Sequence, residues 1–129
     1  MAQRRVAIPE GALGPEIDRL QSIAGIKMLL DILNTANFSA HPQFGEVSYN
    51  SWPVDKDWHV PTDWTVRRAF NFMRGTAEWN HPFTLLTYPN PLAVQGATDY
   101  ALGAAQQGSA QRMEQGWQVG FSDGWLRVR

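Results

Sequence analysis

The chain has 129 residues, of which 43% are hydrophobic, so it is long enough to bury a core and too apolar for a disordered polymer. Its net charge of −1 offers no general attraction for nucleic acid or an anionic membrane, because both require a clustered excess of basic residues. The absence of cysteine excludes disulfides, thiolate catalysis and thiolate metal sites. Because a length of 129 residues is close to that of one typical domain, we predict a single domain over residues 1–129.

The N-terminal segment MAQRRVAIPEG carries two arginines and no apolar segment after them. A secretory signal requires such a segment, and a membrane span requires about 18 consecutive apolar residues, which occur nowhere in the chain. The sequence thus predicts no secretion signal and no membrane partner. It favours a location in the cytoplasm or within an assembled particle such as a virion, with residues 1–13 as a candidate interaction arm.

The first segment with a clear period is GPEIDRLQSIAGIKMLLDILNTANF. Gly14 can act as a cap, and Pro15 suits the first helical position. Apolar residues then recur every three or four positions, at Ile17, Leu20, Ile23, Ile26, Leu30 and Leu33. This pattern predicts an amphipathic helix over residues 15–35 with one apolar stripe.

An aromatic loop is predicted over residues 50–62, after a short strand at 46–51 that is indicated by the alternating segment EVSYNSW. Trp52, Trp58 and Trp64 are spaced six residues apart, and prolines lie near both ends of the segment. Prolines and acidic residues oppose regular structure from 52 to 61. A second helix should follow, capped by Thr62 or Asp63 and ending near residue 75.

The C-terminal half is predicted to contain a strand at 83–88, a helix over 98–115 and a hairpin over 116–129. The helix prediction depends on the alanine-rich segment ATDYALGAAQQGSAQRMEQG, which two glycines weaken. The elements then follow the order helix, strand, helix, strand, helix, strand, strand. This order predicts an α+β fold, in which about three helices cover a small, mainly antiparallel sheet.

No catalytic or phosphate-binding motif is present in the sequence. The segment GAAQQGS has the glycine spacing of a P-loop, but Ser109 occupies the position of its lysine. Glu78 and His81 have the spacing found in di-iron sites, but the motif occurs once and a proline follows it. The sequence therefore predicts no cofactor and no catalytic residue, and it gives an enzyme no support.

A ligand site in the aromatic loop is the alternative. Asp55, Asp57 and His59 alternate as oxygen and nitrogen donors, but an EF-hand would need glycine and a carboxylate where Val60 and Val66 stand. A looser site of these three residues stays open. Beside the tryptophans, it would serve a small ligand- or carbohydrate-binding module, or a small enzyme, that uses the Trp52–Asp63 loop.

The residue types favour a protein interface. The chain has six tryptophans, nine arginines and two lysines, and interfaces are enriched in tryptophan and arginine and depleted in lysine. We predict a non-catalytic structural or accessory subunit of a larger homo- or hetero-oligomeric assembly, for example a virion head or tail, that binds other protein subunits through its loops and chain ends. The candidate interface residues are Trp52, Trp58, Trp64, Trp79, Arg67, Arg68, Trp117 and Trp125. Nucleic acid is a less favoured partner, and a small molecule belongs to the alternative.

Overall fold

The computed structural model describes residues 3–35, 45 and 51–129. It confirms that the chain combines α and β structure. The described part contains two α-helices rather than about three, and seven strands arranged in two sheets rather than one. The strand predicted at 46–51 lies outside the described residues, apart from its last position.

The first sheet contains β1 (His59–Pro61), β2 (Phe83–Leu86) and β3 (Leu92–Val94) in that order. β2 is parallel to β1 and antiparallel to β3. Parallel neighbours need a crossover connection, and helix α2 (Val66–Gly75) lies within it. The prediction of irregular structure over 52–61 is wrong for residues 55–61, which form a short 3-10 helix, Asp55–Trp58, and then β1.

Helix α2 begins later than predicted. Its N-cap is Thr65, whose side chain accepts a hydrogen bond of 3.3 Å from the Arg68 N–H. The Val66 N–H, another free donor of the first turn, donates to Asp123 Oδ1 at 2.7 Å. Capping by Thr62 or Asp63 is therefore wrong, because residues 62–64 form a turn in front of the helix.

The second sheet is antiparallel and has the order β4 (Ala97–Leu102), β7 (Gly124–Val128), β6 (Gly116–Phe121) and β5 (Ala110–Met113). The C-terminal hairpin is confirmed as β6 and β7. The helix predicted over 98–115 is wrong, since that segment supplies both outer strands. Gly103 and Gly108 have φ angles of +145° and +76°, which no right-handed helix contains.

The core lies where α2 meets the two sheets. α2 packs on β4 and β7, and its buried side is formed by Val66, Ala69 and Met73. The largest completely buried side chains of the core are Phe83, Phe121, Met73, Leu85 and Leu126. Burial of such side chains is the main favourable contribution to folding.

Helix α1 (Gly14–Asn34) matches the predicted bounds but is poorly covered by the domain. It is held near its N-terminus, where the Gly11 N–H donates to Asn71 Oδ1 at 2.7 Å and the Gly11 carbonyl accepts from Arg74 Nε at 3.2 Å. Among the residues of α1, only Gly14 is buried. The apolar stripe of the helix is therefore not explained by the core of this domain.

Candidate interaction surfaces

Helix α1 has two apolar faces instead of the single predicted stripe. One face is half-buried and consists of Ile17, Leu20, Ala24, Met28 and Ile32. The other, which we call the exposed face, consists of Ile23, Ile26, Leu29, Leu30 and Leu33, each 41% to 71% exposed. The residues of the predicted stripe are therefore divided between the two faces.

The half-buried face is covered partly from within the chain. Residues 3–6 run beside it, where they border a groove with Gln21, Ala24 and Met28. Arg4 Nη1 lies 3.6 Å from Asp31 Oδ2 on the same helix. The exposed face lies on the other side of the helix and has no such cover in the described part of the chain.

The exposed face has the pattern of a helix that packs against another helix. Four of its residues, at 23, 26, 30 and 33, are separated by three, four and three positions, which is the spacing of a coiled-coil seam. Burial of a complete Leu or Ile side chain contributes about 1.5–3 kcal/mol, so five side chains that are about half exposed leave roughly 5 kcal/mol unrealised. Contiguous apolar patches of this kind mark interaction sites.

A second surface is the aromatic cluster, which consists of Trp52, Trp58, Trp79 and His81. The ring centroids of Trp79 lie 6.0 Å from those of Trp52 and 5.9 Å from those of Trp58, with tilted planes. The His81 ring stacks on Trp58 at 4.7 Å with an interplanar angle of 16°. Asn80 lies between Trp79 and His81, and its φ of 51° turns the chain sharply between these two rings.

The predicted interface tryptophans fall into three groups. Trp52 is 82% exposed and Trp79 is 48% exposed, so both offer indole surface to a partner. Trp58 is 6% exposed and packs edge-on against Phe83 in the core. It cannot be an interface anchor in this conformation, because the protein's own side chains cover it. The remaining predicted tryptophans, Trp64, Trp117 and Trp125, are half-buried.

The two predicted interface arginines have partners within the chain. Arg67 Nε lies 2.9 Å from Glu10 Oε1, and the Arg68 guanidinium lies 3.9 Å from the ring centroid of Trp64. Glu10 also accepts a hydrogen bond from the Tyr100 hydroxyl, and this bond is the main cause that raises the pKa of Tyr100. The end of the predicted arm over residues 1–13 is thus attached to the domain at residues 10 and 11.

A small cavity of about 120 Å³ adjoins the aromatic cluster. Its walls are formed by Pro53, Asp57, Trp58, Phe72, Thr76 and Trp79. Three of these six residues are aromatic, and the surface of the cavity is almost entirely apolar. Such a cavity suits an apolar group or a methylated cation, which aromatic faces attract.

The predicted ligand residues Asp55, Asp57 and His59 are not assembled into one site. Asp57 Oδ2 accepts a hydrogen bond of 2.9 Å from the Val54 N–H, so it caps the short 3-10 helix. Asp55 Oδ1 lies 3.8 Å from His81 Nε2, and His59 is exposed on β1. Within residues 3–35, 45 and 51–129, no group of three or more His, Asp or Glu side chains could hold a metal ion.

Sequence reasoning missed two features of these surfaces. Phe72 on α2 and Thr76 directly after α2 line the cavity, and nothing in the local sequence connects them with the aromatic loop. The exposed face of α1 did leave a signal, because the segment IAGIKMLLDIL places Ile and Leu on more than one side of a helix. A helix with apolar residues on two sides needs two packing partners.

None of the helices in the described part of the chain is long and apolar enough to cross a membrane. Comparison of the chain with protein-family models, with curated proteins and with solved structures finds no significant match.

Proposed function

We propose that the protein is a non-catalytic subunit of a larger protein assembly and that it binds a neighbouring subunit through the exposed face of α1. The observation that carries this proposal is the row of half-exposed Ile and Leu side chains in a regular 21-residue helix. Water solvates such a row poorly, and a neighbouring protein would remove it from water. A virion head or tail is one assembly of this kind.

The aromatic cluster supplies a second candidate contact. Trp52 and Trp79 present indole rings at the surface, and tryptophan combines a large apolar area with one N–H donor. Exposed tryptophans at an interface contribute more binding energy than most other residues. We assign Trp52 and Trp79 to the same function, as contacts with a neighbouring protein through residues outside α1.

The proposal predicts that the complete chain in its native cells is part of a particle much larger than 14.5 kDa. The variant Leu30→Gln/Leu33→Gln should be released from that particle, because each glutamine replaces buried apolar contacts while it preserves helix propensity. Size measurement of gently prepared extracts by sedimentation, with detection of the tagged chain, checks this.

Leu102→Gln is the matched control, since Leu102 is 68% exposed and belongs to β4 rather than to α1. It should stay in the particle. A native chain that sediments at its own monomer mass would contradict the proposal, and so would a double variant that remains fully incorporated.

A second candidate function is a binding module whose ligand enters the cavity beside the aromatic cluster. The observation that favours it is the cavity of about 120 Å³ itself, with Trp79 half-exposed at its wall. Its ligand would be a methylated ammonium group or a sugar that stacks on an indole face.

This candidate predicts that millimolar tetramethylammonium or methyl glucoside shifts the indole N–H signals of Trp58 and Trp79 in a nitrogen–proton NMR spectrum. Trp79→Ala should abolish the response, whereas Trp117→Ala, on the second sheet, should retain it. Indole N–H chemical shifts that stay unchanged with both probes would contradict the hypothesis of a binding module.

A further inference from the structure

We propose that the neighbour on the exposed face of α1 is a second copy of the same chain, packed antiparallel to the first across a two-fold axis. This inference rests on the proposed function and names the partner. It follows from three properties of the helix: the self-complementarity of its exposed face, the position of its charges and the size of the face.

The exposed face matches itself when two copies run in opposite directions. With the axis level with residue 28, Ile23 of one copy lies opposite Leu33 of the other, and Ile26 lies opposite Leu30. Each of these four positions then meets a large aliphatic side chain. Lys27 and Asp31 are both exposed, and at 100° per residue they lie to one side of the row, so no charge is buried in the seam.

The charges of α1 favour the antiparallel direction. Arg19 is exposed and lies four positions before Ile23, on the same side of the helix. The last turn of α1 contains no basic residue, although the C-terminal end of a helix carries negative partial charge. An antiparallel copy brings Arg19 next to that end, whereas a parallel copy would place the two Arg19 side chains together.

The size of the exposed face sets the expected affinity. Residues 23–33 extend over roughly 15 Å of helix, and their exposed side chains provide several hundred Å² per chain, which is near the upper end of apolar patches on monomers. Specific interfaces bury about 800 Å² per partner. The dimer should therefore be reversible, with a Kd in the micromolar range.

Sedimentation equilibrium of the purified full chain tests the partner. A monomer–dimer equilibrium is expected, and Ile26→Gln/Leu30→Gln should raise Kd by about 100-fold, because the symmetric seam loses both side chains in both copies. Leu102→Gln should leave Kd unchanged. Circular dichroism of each variant verifies that α1 remains helical. A strictly monomeric chain, or a double variant that dimerises like the original chain, would overturn the proposal.

Disulfide trapping tests whether the two α1 helices run antiparallel. Because the sequence contains no cysteine, any disulfide in a single-cysteine variant must form at the introduced residue. In an oxidised mixture of Ile23→Cys and Leu33→Cys, the mixed disulfide should exceed both self-pairs. Arg19→Glu should weaken the dimer about fivefold, because it places like charges at each helix end. Predominant self-pairing of Ile23→Cys would show a parallel pair and overturn the antiparallel assignment. A dimer that Arg19→Glu leaves unchanged would overturn it too, because in a parallel pair one like-charged pair merely replaces another.

The two proposals fail in different ways. A purified chain that is monomeric, but which is incorporated into a native particle through Leu30 and Leu33, would overturn the second copy as partner and retain the assembly function. A chain that is monomeric in both settings would overturn both.

Discussion

Replacement of Trp58 by alanine is expected to lower the free energy of unfolding by about 4 kcal/mol, which is typical of the loss of a large aromatic side chain from a core. Trp52→Ala, in the same segment, is expected to change it by less than about 0.5 kcal/mol. The two side chains are chemically identical, but Trp58 is 6% exposed and Trp52 is 82% exposed.

The large effect at Trp58 follows from its contacts. Its indole packs against the rings of Phe83, Trp79 and His81, with distances between ring centroids of 5.7, 5.9 and 4.7 Å. Alanine would remove these contacts and would enlarge the neighbouring cavity of about 120 Å³. The surrounding rings could collapse into that space only in part.

Urea denaturation followed by circular dichroism measures both variants, with the original chain as the reference. A loss for Trp58→Ala no larger than that for Trp52→Ala would show that the indole of Trp58 is not part of the core. The same experiment on Trp79→Ala should give an intermediate value, since Trp79 is about half exposed.

Gly120→Ala is expected to destabilise the domain by about 3 kcal/mol or more, because a Cβ at this position would lie 2.0 Å from the Gln106 carbonyl oxygen. That carbonyl belongs to the backbone and cannot swing aside as a side chain would. Gly120 is also held in place by two backbone hydrogen bonds of 2.9 Å. Its N–H donates to the Ser109 carbonyl, and its carbonyl accepts from the Gly108 N–H.

Gly96→Ala is the matched control, since a Cβ at Gly96 meets no heavy atom within 4 Å. We expect a change within about 1 kcal/mol, of either sign. Thermal unfolding of the two variants provides the comparison. Equal melting temperatures would mean that the loop at Gln106 can move away from β6 at little cost.

The elements that the sequence predicted correctly are those specified by local patterns. The period of Ile17 to Leu33 was sufficient for α1, and the Ser122–Gly124 turn between two alternating segments was sufficient for the hairpin. The same local reasoning failed for residues 98–115. Their alanines and glutamines favour a helix, but β4 gains its hydrogen bonds from β7, more than twenty residues further along the chain.

β1 was missed for a similar reason. It has three residues and ends in a proline, so its own sequence carries almost no strand signal. Its existence depends on pairing with β2, where Val60 lies opposite Leu85. The strand propensity of β1 alone or of β2 alone does not show that these two distant segments pair.

The candidate site was predictable in residue type but not in exposure. The sequence marks the aromatic loop as unusual, and two of the predicted interface tryptophans, Trp52 and Trp79, are at the surface. The regular spacing of Trp52, Trp58 and Trp64 does not indicate which of them is buried. Trp58 is buried because Phe83 and His81, from another part of the chain, cover its ring. The exposed face of α1 was visible in the sequence only as an excess of Ile and Leu.

The hydrogen bond between Asp123 and the Val66 N–H connects the tip of the C-terminal hairpin with the first turn of α2. A second bond in the same place, from the Ser122 hydroxyl to the Trp64 carbonyl, doubles the connection. The hairpin of β6 and β7 therefore completes the start of a helix that precedes it by more than fifty residues, and α2 gains its full stability only after this hairpin has been synthesised and folded. Nascent chains that stop before residue 122 should expose the apolar side of α2 to chaperones.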